Sequence, residues 1–122
     1  MTKKFDQELP ADCPPENALP RDQTSFRIVE TSPPTAADFK THAQIGRAKN
    51  ADPCQRNALS IYATYKDAQH RLDMSPYLGK FIARAALSPS HWLIGTPNRS
   101  GHMSWWAFPN MVRPNDFEVD KS

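Results

Sequence analysis

The stretch that decides the fold is "HWLIGTPNRSGHMSWWAF", His91 to Phe108. Two apolar runs, "HWLIGT" and "HMSWWAF", flank the turn residues "PNRSG". Runs of aromatic and β-branched residues on either side of a Pro/Asn/Gly cluster predict two strands of a hairpin. Alternation sends Met103, Trp105 and Ala107 to one face of the second strand, and Ser104, Trp106 and Phe108 to the other. A strand with a tryptophan on each face must bury both or display one, because only one face of a small antiparallel sheet ordinarily meets a core. Two readings stay open. In one, Trp105 is core and Trp106 lies under a docked proline-rich arm from the start of the chain. In the other, Trp106 lines a groove with Trp92 for a partner or a flat ligand, the role in which aromatics serve as interface hot spots.

Outward from the hairpin, the elements alternate less regularly. "SFRIVE" (25–30) predicts a first strand and "ALSIYATY" (58–65) a second, with Leu59, Ile61 and Ala63 on one face. Between them, Thr35 three residues before Asp38 resembles a capping box and predicts a helix over 36–47. "NADPCQRN" (50–57) reads as a loop. Thr64 and Asp67 repeat the cap pattern ahead of "YKDAQHRLDM", which predicts a second helix carrying Tyr65, Ala68 and Leu72 on one side. "KFIARAAL" is bounded by Gly79 and "SPS" at strand length, and "DFEVD" predicts a short last strand. Helices early and strands late give an α+β domain with a mixed or mainly antiparallel sheet, two helices and one core.

The chain has 122 residues, enough for one domain. Its 12 prolines are about twice the usual share, and Pro10, Pro14, Pro15 and Pro20 crowd the start. Residues 1–24 therefore predict an irregular proline-rich arm, partly docked through Leu9, Cys13 and Leu19, with the domain proper over 25–122. No apolar run approaches membrane length, and no apolar stretch follows Lys3 and Lys4, so the expectation is a soluble cytoplasmic protein with no membrane partner. There, free thiols are the commoner state for Cys13 and Cys54, but a docked arm would bring the two near each other, so their pairing stays open.

A net charge of +2 with interspersed signs argues against a nucleic-acid partner, which selects for a concentrated basic face. His91 and His102 open the two hairpin strands, yet no acidic residue lies in the hairpin to complete a metal site, so no metal is expected. The serines lack a nucleophile elbow and the four glycines are scattered, which leaves no hydrolase or phosphate-loop motif. The composition predicts a non-catalytic, cofactor-free module that binds another protein through Trp92, His102, Trp105, Trp106 and Phe108.

Two resemblances add to this. "LPADCPPENA", "FRIVETSPPTAADF", "CQRNALSIYATYKDA" and "GHMSWW" resemble a pattern of small bacterial proteins of unassigned function, which implies a structural arm and no particular activity. More distantly, the chain is similar to ADP-ribosyltransferase-like domains, which place an arginine on an early strand, a serine on the next and a glutamate on a late one. Arg27, Ser60 and Glu118 stand at such places. The resemblance implies an NAD-consuming enzyme in which Arg27 holds the pyrophosphate, Ser60 braces the site and Glu118 stabilises an oxocarbenium-like ribose. It also requires those three residues to converge on one cleft.

Overall fold

In the computed structural model, described for residues 13–20, 22–41, 46, 52–88, 92–107 and 114–120, the chain forms an α+β domain built on one sheet. The strands are β1 (Gln23–Val29), β2 (Leu59–Tyr62), β3 (Phe81–Leu87), β4 (Trp92–Ile94), β5 (His102–Ala107) and β6 (Glu118–Val119). Two helices, α1 (Pro53–Arg56) and α2 (Tyr65–Met74), complete the set with three short 3-10 turns. The sheet order is β4-β5-β2-β1-β3-β6, and each neighbouring pair is antiparallel. The hairpin read from His91–Phe108 is present as β4 and β5, with Leu93 opposite Trp106 and Ile94 opposite Trp105.

Both faces of the sheet are covered, which answers why β5 carries a tryptophan on each. On one face Val29, Leu59, Ile61, Ala83, Leu87, Ile94, Met103 and Trp105 form the main core. Phe39 and Phe117 close it from outside the sheet: Trp105 stacks on Phe117 at 6.0 Å, and Phe117 meets Phe39 at 4.9 Å. On the other face α2 lays Ala68, Tyr65 and Leu72 over Phe26, Ile28, Tyr62 and Ile82. Thr64 starts α2 as the sequence predicts, its hydroxyl accepting from the Asp67 N–H at 3.0 Å.

The same face is covered at its far end by the arm. Leu19 pairs with Ile94 through two 3.0 Å backbone bonds. A Cys13–Cys54 disulfide ties the arm to α1, and Ala18, Ala58, Leu93 and both cysteines pack around Trp106. The Trp106 indole N–H donates to the Cys54 carbonyl at 3.1 Å. Trp105 and Trp106 are 1% and 2% exposed. The displayed tryptophan is thereby corrected: each face of β5 has its own cover, and both rings are core. The cysteine state left open by the sequence is a disulfide, because docking of the arm sets the two cysteine Cα atoms 5.5 Å apart.

The first helix also differs from expectation. In place of a helix over 36–47, a 3-10 turn spans Ala36–Phe39, and Lys40 is extended; 42–45 and 47–50 lie outside the described residues. The cap pattern is satisfied within that one turn, since the Asp38 carboxylate accepts from the Thr35 N–H at 2.9 Å. The Asp38 carbonyl, which a continuing helix would use, is taken by Arg27. The segment read as a loop instead holds α1, begun by Pro53 and capped by Asp52 accepting from the Gln55 N–H at 3.1 Å.

Candidate functional site

β1 and β3 are zipped over seven register pairs from Gln23↔Leu87 to Val29↔Phe81, whereas β1 and β2 meet at one, Phe26↔Tyr62. Beyond that bridge the two central strands part, and the Arg27 side chain spans the gap. Its Nη1 donates to the Ser60 carbonyl at 2.7 Å, while Nε and Nη2 both donate to the Asp38 carbonyl at 3.0 and 2.8 Å. The guanidinium lies 5.4 Å from the Phe39 ring centroid. Burial pulls its pKa down to about 10, against the opposing charge of Asp38, so Arg27 stays cationic at neutral pH.

Asp38 organises the loop after β1. Its carboxylate accepts from the Glu30 N–H at 2.8 Å, from the Thr35 N–H and from the Thr31 hydroxyl. Desolvation pushes this carboxyl up, but these bonds and the charge of Arg27 outweigh it and hold its pKa below the ordinary 3.8.

The parting of β1 and β2 opens a cleft of about 590 Å³. Ile28, Leu59 and Ser60 form its floor with Arg27; Asp67, His70, Arg71 and Met74 of α2 form one wall; Asn98, Ser100 and His102 form another. Lys40 and Thr41, after the 3-10 turn, also line it. Within it, His102 Nε2 lies 2.9 Å from Ser60 Oγ, and the His102 ring meets Tyr62 edge-on at 5.5 Å. Burial pushes the Tyr62 phenol up, opposed by the charge of Arg71, by the charge of Arg27 and by a hydrogen bond with Arg71. The fixed charges along the lining are Arg27, Lys40 and Arg71 against Asp67.

Gly101 fixes the far wall. Its φ is +77°, and a Cβ there would fall 2.0 Å from Asp67 Oδ2. Only glycine takes that conformation readily and also lets the start of α2 close onto the β4–β5 turn.

Of the site residues read from the sequence, Arg27, Ser60 and His102 come together in this cleft. Glu118 does not. It is exposed on β6, opposite Arg84 at the sheet edge and beyond β3, so the three-residue convergence fails on strand order. Trp105 and Trp106 are core, and Phe108, His91 and the Trp92 side chain lie outside the described residues. Sequence reasoning missed Lys40, Asp67, Arg71 and Asn98 as cleft residues. Asp67 was legible only as a helix-cap partner, and Asn98 only as a turn residue.

Among the described residues, no three His, Cys, Asp or Glu side chains gather as a metal-binding set, and no helix is long and apolar enough to cross a membrane. No family model, curated protein or solved structure matches the chain.

Proposed function

We propose that this domain works by binding, and that its ligand is a small phosphate-bearing molecule of nucleotide size held in the cleft between β1 and β2. One observation carries the reading: the Arg27 fork is anchored on two backbone carbonyls, yet those three bonds leave one N–H on each terminal nitrogen. A planar cation already fixed in a partly desolvated cleft suits a phosphate oxygen pair, and it loses little freedom on binding. Lys40 and Arg71 bias the same cleft toward anions, and about 590 Å³ is within the usual size of small-molecule sites. With Trp105 and Trp106 in the core and His102 in the cleft, the cleft rather than the hairpin face supports the binding role better. The Cys13–Cys54 bond favours an oxidising compartment over the cytoplasm.

NAD consumption is the second reading, favoured by Arg27 and Ser60 sharing one cleft. With Glu118 at the sheet edge, Asp67 is the carboxylate in reach of that role.

Calorimetric titration with ADP and with adenosine tests the main reading. ADP is expected to bind at least about tenfold tighter, and Lys40→Glu with Arg71→Glu to erase that gap while leaving the thermal midpoint near its original value. Equal affinity for ADP and adenosine would overturn it. Nicotinamide release from NAD, lost in Asp67→Asn, would turn the binding site into an enzyme.

A further inference from the structure

Beside the cationic cleft lies a second hollow of about 420 Å³, and the two meet at Asn98 and His102. Its lining is different in kind. Pro15 and Asn17 come from the arm, Gln55 from α1, Thr96 from the β4–β5 turn, and Ser104 and Trp106 from β5. No Lys, Arg, Asp or Glu lines it among the described residues.

Two amide groups there are oriented by bonds that use only their oxygens. Asn98 Oδ1 accepts from the Ser100 N–H at 2.9 Å, the Ser100 hydroxyl at 2.7 Å and the His102 N–H at 3.1 Å. Gln55 Oε1 accepts from the Ser104 hydroxyl at 2.5 Å. Both NH₂ groups are therefore held in place as donors, with no acceptor taking them among the described residues. The outer wall is the arm itself: Asn17 Nδ2 donates to Thr96 Oγ1 at 3.2 Å, and the disulfide holds the arm to the helix that carries Gln55.

We propose that this hollow is a second lobe of the same site, taking an uncharged, hydroxyl-rich group such as the sugar of a sugar phosphate, with the disulfide-held arm as its wall. The proposal rests on the phosphate reading of the first lobe. Placed at the junction, Asn98 would donate to an oxygen linking the two parts. Fixed amide donors and hydroxyls suit sugar hydroxyls, whereas a second phosphate would find no countercharge there.

Amide and indole NMR of the intact protein, titrated with inorganic phosphate, with ribose and with ribose 5-phosphate, tests it. Phosphate should move signals of the first lobe, among them Arg27, Ser60 and Arg71, and leave Thr96 and the Trp106 indole N–H in place. Ribose 5-phosphate should also move Thr96 and the Trp106 indole N–H, and bind about tenfold tighter than phosphate. Gln55→Met should remove that gain without changing the affinity for phosphate. Ribose 5-phosphate shifts confined to the first lobe, or a gain that survives Gln55→Met, would overturn the second lobe and leave the phosphate reading standing. Ribose moving the Trp106 signal with no response to phosphate would support the lobe and overturn the phosphate reading. Silence toward all three would overturn both.

Discussion

The two sides of β1 carry the same kind of strand and end differently. Toward β3 the ladder closes over its whole length, and Arg84 on that strand is exposed. Toward β2 it closes at one pair, because Arg27 turns into the gap and takes the carbonyls of Ser60 and Asp38. One arginine decorates a finished sheet, while the other replaces part of the ladder. Where two central strands part, a side chain with enough donors can thus take a strand carbonyl, here that of Ser60, in place of a ladder bond. The space beside that side chain is the cleft.

The largest expected effect lies where the arm docks. Cys13→Ser with Cys54→Ser removes a cross-link between residues 41 apart in sequence, and chain entropy alone assigns that a loss of about 4 kcal/mol. Hydrogen exchange should quicken first around Ile94 and Trp106, where the arm docks, and last along β1–β3. Early loss of the β1–β3 amides would show that the two halves of the sheet do not differ in support.

The sharper test sets the two arginines against each other. Arg27→Leu leaves the Ser60 and Asp38 carbonyls without their donor, worth on the order of 3 kcal/mol in urea unfolding. Arg84→Leu, on the exposed side of the closed ladder, should stay within about 0.5 kcal/mol. Equal effects would deny Arg27 its part in the ladder. For the same reason Arg27→Ala is a poor probe of ligand binding, since it disturbs the sheet as well.

The smallest effect is in acid. Asp38 is held below its ordinary pKa in the folded protein, so the unfolded chain binds its proton more readily. Its stabilisation is complete above the unfolded value near 3.8 and is lost as pH falls through the folded one. Asp38→Asn should be less stable at neutral pH and should show a shallower decline below about pH 4. Parallel pH profiles for the two proteins would dissociate Asp38 from the loop that receives Arg27.

The hairpin, β3 and α2 were legible because alternation and the Thr64 cap are local signals, and the strands they predict lie where the pattern puts them. Arg27 and Ser60 were legible as residues of interest, though not as partners, because the bond between them exists only once β1 and β2 part. The helix over 36–47 failed for a similar reason: the Asp38 carbonyl is claimed from a strand 11 residues away. Glu118 shows the limit most clearly. Its strand could be read, but whether that strand sits beside β2 or beyond β3 is a matter of sheet order, which no local pattern carries.

That order has a consequence for how the protein is made. Among the described strands β1 leaves the ribosome first yet lies in the middle of the sheet, and Gln23 waits for Leu87, far along the chain, to find its partner. Pairings so distant in sequence close slowly. Within that interval β2 and then α2 are made and supply cover for Phe26 and Ile28, but the other edge of β1 stays unpaired until β3 is synthesised, so β3 closes the centre of the sheet.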